Sequence, residues 1–123
     1  MKYILSIDQS TSGTKALLLD ETGALAGRAD LPHRQIINQQ GWVSHDPMEI
    51  YQNTIMATRN LLNSTGADSA SIVAMGISNQ RETALIWDRD TGKPVAGAVV
   101  WQCGRAQPIC ERLESHAEII RQK

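Results

Sequence analysis

A chain of 123 residues is long enough for one domain with a modest core. It is 41% hydrophobic and 20% charged, with a net charge of -1 and no basic block, which argues against nucleic acid or an anionic membrane as a partner. No apolar run approaches the ~20 residues of a membrane span, and the first strand begins with no signal peptide before it, so a cytoplasmic protein is expected.

The first predicted strand covers residues 3–7 and is apolar at nearly every position, which suits a strand covered on both faces. The second covers residues 15–19. Asp20-Glu21-Thr22-Gly23 then reads as a turn, with Gly23 free to take positive φ. A third strand over residues 24–32 completes an antiparallel meander. Residues 33–44 are polar and read as a surface loop, anchored by Gly41-Trp42-Val43.

A helix follows with clear signals. Asp46 is a good N-cap, Pro47 fits the first helical position, and Glu49 completes a capping box. Met48, Tyr51, Ile55, Thr58 and Leu62 form a periodic stripe that predicts the buried face. Asn63-Ser64-Thr65-Gly66 ends the helix. The next strand, residues 72–78, implies a crossover returning to the sheet, expected to be right-handed.

Residues 84–87 and 95–101 flank Asp88-Arg89-Asp90-Thr91-Gly92-Lys93-Pro94, a hairpin turn whose chemistry repeats that of residues 20–23. A last helix is expected over residues 108–121, with Ile109, Leu113, Ala117 and Ile120 on its apolar side and Cys110 a buried, reduced thiol there. Cys103 and Cys110 match neither zinc nor redox spacing. His33, His45 and His116 lack metal-ligand spacing; His45 reads as a polar residue before the N-cap and His116 as a helix-face residue. The fold class is α/β, a mixed sheet with helices.

Two clusters carry chemistry. Asp8 stands at the carboxyl end of the first strand, where α/β sheets bind ligands, and a carboxylate there can hold Mg²⁺, often through water. Thr11, Ser12, Gly13 and Thr14 supply hydroxyls and backbone N–H groups suited to phosphate oxygens, and Lys15 adds positive charge. The stretch is not a P-loop, since G-x-x-x-x-G-K-[ST] is absent and a strand follows the turn. A polar hairpin with a capping aspartate fits the same residues.

The second cluster is Asn79-Gln80-Arg81-Glu82-Thr83. A regular strand would send Arg81 and Glu82 to opposite faces, whereas an irregular end can turn both towards a polyol, whose hydroxyls donate and accept. A surface ion pair is the alternative. Trp101 is either core or an apolar wall for substrate carbons.

In that order, Asp8-Gln9-Ser10-Thr11-Ser12-Gly13-Thr14-Lys15, Gly41-Trp42-Val43-Ser44-His45-Asp46-Pro47, Gly76-Ile77-Ser78-Asn79-Gln80-Arg81-Glu82-Thr83 and Val100-Trp101-Gln102 resemble the FGGY carbohydrate kinases over nearly the whole chain, with the glycerol-kinase branch nearest. The resemblance implies an actin-like ATPase (ribonuclease H-like) fold, of which residues 1–123 are the N-terminal part of the first domain. It places Asp8 near Mg²⁺ and Thr11, Ser12, Gly13 and Lys15 on the phosphates of ATP. Arg81 and Glu82 would bind polyol or sugar hydroxyls, with Trp101 on the carbons. ATP would phosphorylate a terminal hydroxyl.

Family members are several times longer, and their aspartate base and adenosine-binding domain come after the matched region. No catalytic residue is therefore expected in this chain, which reads as an N-terminal fragment. A sheet edge left open would favour self-association or a homo-oligomer. Xylulose or another sugar stays open as the substrate. A non-catalytic fragment, or another actin-like ATPase, stays open as the function.

Overall fold

Residues 1–122 are described, from a computed structural model. β1 (Tyr3–Gln9), β2 (Gly13–Asp20) and β3 (Leu25–Pro32) form the expected meander. The β2–β3 turn forms as its residues predict. Asp20 Oδ1 accepts from the Thr22 N–H at 2.8 Å and the Ala24 N–H at 3.0 Å, and Gly23 takes φ 81°. The Asp88 turn repeats this device, with Oδ1 accepting from the N–H groups of Asp90 and Thr91.

The stretch expected to be a surface loop is partly a second sheet. β4 (Ile36–Ile37) and β5 (Val43–His45) pair antiparallel, and Val43 and His45 are buried. α1 (Pro47–Thr65) begins at the predicted cap, where Asp46 Oδ1 accepts from the Met48 N–H at 2.8 Å. It ends at Gly66, whose φ of 67° lies in the left-handed region. β6 (Ile72–Ser78) then runs parallel to β1, giving the sheet order β3-β2-β1-β6.

α1 covers one face of this sheet. Leu5 and Ile7 of β1, Ala16 and Leu18 of β2, and Ala57 and Leu61 of α1 form the buried core. Burying a leucine such as Leu61 is worth about 1.5–3 kcal/mol. The predicted helix stripe is rotated from the one observed. Tyr51 is 61% exposed, and Met48 and Ile55 are exposed as well, while Ala57 and Leu61 face the sheet. The cause is close approach. A Cβ added at Gly27 of β3 would meet Thr65 Cγ2 and Leu61 Cδ1, so the helix seats closely on the sheet along the side that carries Ala57, Leu61 and Thr65.

The expectation that β1 is covered on both faces fails too, because among the described residues only the face towards α1 is covered. Ile4, on the opposite face, is 44% exposed. β6 is an open edge, with Val73, Met75 and Ile77 all exposed. The residues around the Asp88 turn do not form two continuous strands. Bridges join Ala84 to Val99 and Trp87 to Pro94, since proline donates no ladder hydrogen bond. β7 (Ala98–Val99) also pairs with β5, in the order β4-β5-β7.

The last predicted helix is broken. α2 (Gln107–Leu113) and α3 (Ala117–Arg121) are separated by a 3₁₀ turn over Glu114–His116. No residue of α2 is buried, so Cys110 is exposed rather than buried, and Ile109, Leu113 and Ile120 lie open. Their apolar spacing finds no opposing surface among the described residues. No helix there is long and apolar enough to cross a membrane.

Candidate active site

Asp8 lies at the carboxyl end of β1, directly across the ladder from Lys15 of β2. Their side chains meet at 3.1 Å, each about one-third exposed. The tight turn between the two strands follows from its sequence. The Ser10 N–H and the Ser10 hydroxyl both donate to the Gly13 carbonyl, each at 2.9 Å. Gly13 is required by space, since a Cβ there would stand 2.7 Å from the Leu31 carbonyl oxygen and 3.1 Å from Pro32 Cα. The turn is held from outside by the His33 N–H, which donates to the Ser12 carbonyl at 3.3 Å.

The second loop leaves the carboxyl end of β6, beside β1. Among the described residues Glu82 alone combines a side chain with a positive φ, at 60°. Such a conformation is uncommon outside glycine and costs on the order of 1 kcal/mol or more. Its consequence is geometric: adjacent Arg81 and Glu82 line the same cleft.

Trp101, 56% exposed, closes another side of the cleft. Its indole N–H donates to Thr11 Oγ1 at 2.8 Å, and its backbone N–H donates to Thr83 Oγ1 at 3.3 Å. Trp101 is therefore a wall rather than core. The cleft has a volume of about 380 Å³ and is lined by Asp8, Ser10, Thr11, Asn79, Gln80, Arg81, Glu82 and Trp101.

Among the predicted site residues, the fold gathers Asp8, Thr11, Arg81, Glu82 and Trp101 around this one cleft. Ser12, Gly13 and Lys15 line an adjoining depression of about 290 Å³ with Asp30 and Pro32. The β1–β2 turn separates the two spaces. No group of three or more acidic, histidine or cysteine side chains that could hold a metal occurs among the described residues. The donor set is a single carboxylate beside hydroxyls. That fits a hydrated Mg²⁺ held mainly by phosphates and water, not an all-protein cage.

Sequence reasoning missed the layer behind the cleft. His45 is not merely a polar residue ahead of the cap, because it is fully buried. Its Nε2 lies 2.8 Å from Gln35 Oε1 and its Nδ1 lies 3.3 Å from Gln80 Nε2. Burial, then the neighbouring His33, holds its pKa below the ordinary 6.5, against a smaller upward pull from Glu49.

Arg105 pins β5 from the other side. Its Nη2 donates to the Val43 carbonyl at 2.9 Å and to Ser44 Oγ at 2.7 Å, and its guanidinium lies over Trp42. Its Nε donates to Cys103 Sγ at 3.0 Å. Desolvation opposes the Cys103 thiolate, but the bonds from Arg105 and from the Val43 N–H outweigh it and leave the thiol below its ordinary range. These contacts join segments far apart in the chain, and the only local signal was an arginine two residues after a cysteine.

The fold and the cleft together define an α/β domain with the actin-like ATPase fold, in which a polar cleft adjoins a Ser/Thr/Gly turn. The chain belongs to the FGGY family of carbohydrate kinases, whose N-terminal domain matches residues 3–123. It is 43% identical over 125 residues to glycerol kinase 2 of Thermotoga maritima, covering 100% of this chain and 25% of that protein. It is 47% identical over 112 residues to glycerol kinase 1 of the same organism, covering 91% and 23%.

Among solved structures, Plasmodium falciparum glycerol kinase with ADP superposes with a TM-score of 0.85 at 38% identity, over 94% of this chain and 23% of that one. A ligand-bound xylulose kinase from Lactobacillus acidophilus superposes with a TM-score of 0.83 at 22% identity, over 100% of this chain and 25% of that one, and shows the fold alone. The chain spans about a quarter of the length of the curated relatives it matches.

Proposed function

We propose that this domain serves an ATP-dependent kinase that phosphorylates a terminal hydroxyl of glycerol or a closely related polyol. The observation that carries this reading is the left-handed backbone at Glu82, which turns Arg81 and Glu82 into one cleft with Trp101, facing Asp8 and Thr11. The Arg81 guanidinium donates and the Glu82 carboxylate accepts, so together they match hydroxyls that do both. The Trp101 ring covers the carbon side of a small polyol. The similarity to glycerol kinases, one of them solved with ADP, supports the same reading.

In this reading Thr11, Ser12 and Gly13 receive the phosphates on the β1–β2 turn. Lys15 exchanges its bond to Asp8 for one to a phosphate oxygen, which frees the carboxylate to face a hydrated cation. Mg²⁺ bound there with ATP would neutralise phosphate charge. The general base is assigned to a segment outside these 123 residues, which form the N-terminal part of the first of two domains. The open β6 edge is the surface through which this chain associates with itself.

The test uses the whole polypeptide that carries this domain, with ATP, Mg²⁺ and a panel of polyols and sugars. Glycerol should support ATP consumption. Arg81→Ala should raise the glycerol KM by about 10- to 100-fold, the loss of charged hydrogen bonds, and leave the ATP KM little changed. Absence of ATP consumption with every member of the panel would overturn the assignment.

A further inference from the structure

A closed ring of hydrogen bonds runs behind the cleft. Gln35 Nε2 donates to the Thr11 carbonyl at 2.7 Å, and Gln35 Oε1 meets His45 Nε2 at 2.8 Å. His45 Nδ1 meets Gln80 Nε2 at 3.3 Å, and Thr83 Oγ1 donates to Gln80 Oε1 at 3.2 Å. Thr83 Oγ1 accepts the Trp101 N–H, and the Trp101 indole returns to Thr11 Oγ1. His45 is fully buried and lies where the arm to the β1–β2 turn meets the arm to the Asn79–Thr83 loop.

The direction of these bonds follows from atoms with one possible role. The Thr11 carbonyl only accepts, so Gln35 presents its amide nitrogen there and its oxygen to His45. Gln9 is fixed likewise. Its Nε2 donates to the Ser10 carbonyl at 2.9 Å, so its Oε1 accepts from Gln80 Nε2 at 3.2 Å. Gln80 therefore offers a second N–H to His45 Nδ1. His45 must be the neutral tautomer with its proton on Nε2, both ring nitrogens in use.

His33 supplies the contrast. It is also buried, its ring centroid 4.6 Å from that of His45, yet neither of its nitrogens has a hydrogen-bond partner among the described residues. Burial in this region therefore does not itself impose directed bonds on an imidazole.

We propose that His45 is a positioning residue, which locks the phosphate-facing turn and the polyol-facing loop into one fixed separation through Gln35 and Gln80. The role rests on the kinase reading for its purpose, though not for its geometry. Transfer requires donor and acceptor in line, and misplacement of about 1 Å can cost about 100-fold in rate. A residue that sets the distance between two subsites acts on kcat more than on the affinity of either.

The kinetic arm of the test compares three variants in the whole polypeptide. His45→Leu removes both bonds and should lower kcat by about 10- to 100-fold, with the KM values for ATP and glycerol changed far less. His45→Gln keeps a donor and an acceptor and should restore most of kcat. Gln35→Ala alters an exposed side chain, so folding is spared, and should lower kcat in the same direction by cutting one arm.

The second arm needs no activity. Histidine ¹⁵N NMR on the 123-residue chain should show His45 neutral and protonated at Nε2, with Gln35→Ala shifting both the His45 nitrogens and the Trp101 indole N–H. If this pattern appears without ATP consumption, the ring stands and the kinase reading fails. If ATP is consumed but His45→Leu and Gln35→Ala leave kcat as in wild type, Gln35→Ala leaves the Trp101 indole unmoved and His45 is in the other tautomer, the positioning role is overturned.

Discussion

Gly13→Ala tests the link between packing and the β1–β2 turn, to which phosphate binding is assigned by proposal. The added Cβ would lie 2.7 Å from the Leu31 carbonyl oxygen, 3.1 Å from Pro32 Cα and 3.3 Å from the Leu31 carbonyl carbon. All are backbone atoms of β3, so no side chain can rotate away. β2 and β3 must separate by a large fraction of an ångström where Gly13 pairs with Pro32 and Thr14 with Leu31. Overpacking of this kind costs about 1–3 kcal/mol. Alanine recovers about 0.4–1 kcal/mol by narrowing the unfolded ensemble.

A net loss of about 1–2 kcal/mol should lower Tm by about 4–8 °C in a domain of this size. Thermal unfolding followed by circular dichroism measures this directly. Gly104→Ala is the control, since a Cβ there meets nothing within 4 Å. Because Gly13 accepts both Ser10 bonds, the same variant should weaken ADP binding. A Gly13→Ala chain whose stability falls within about 0.5 kcal/mol of wild type, the range of neutral surface changes, would refute the reasoning.

Asp46→Ala removes the cap on α1 and should cost about 1 kcal/mol in urea unfolding, with Asp46→Asn largely neutral. Because the folded pKa of His45 lies below 6.5, the unfolded chain takes up the proton first, so stability should fall as pH drops below about 6.5 and level off once the folded form also protonates. The surrounding titratable or charged groups are His33, Asp46, Glu49 and the Arg34 bonded to Glu49; His45→Gln should flatten this part of the profile. In a Cys110→Ser background, alkylation of Cys103 should proceed at lower pH than after Arg105→Ala, because Arg105 holds its thiol down; equal midpoints would dismiss the pairing. Val73→Lys, on the exposed β6 edge, should reduce self-association in sedimentation at high concentration, and a wild-type chain that stays monomeric would remove that proposal.

Local chemistry was readable without a structure. Asp46, Pro47 and Gly66 mark α1 because caps act within one helical turn. The Asp20 and Asp88 turns form because each aspartate bonds N–H groups two to four residues on. Arg81, Glu82 and Trp101 were legible as candidates because their chemistry fits a polyol. Helix periodicity misled at α1, where Tyr51 and Ile55 have the hydrophobicity of a core but the helix seats over Gly27 on the side that carries Ala57, Leu61 and Thr65. It misled again over residues 108–121, since an apolar stripe specifies a face but not what covers it.

The sequence by itself determined the strand order of the meander, the limits of α1 and the residue types at both ends of the cleft, all set by interactions a few residues apart. Only the tertiary structure decided that β6 lies beside β1, that Glu82 takes a left-handed backbone, and that His45 stands buried between Gln35 and Gln80. Those features depend on segments up to tens of residues apart being fixed at hydrogen-bond distance. That condition is met only after the sheet and helix have packed.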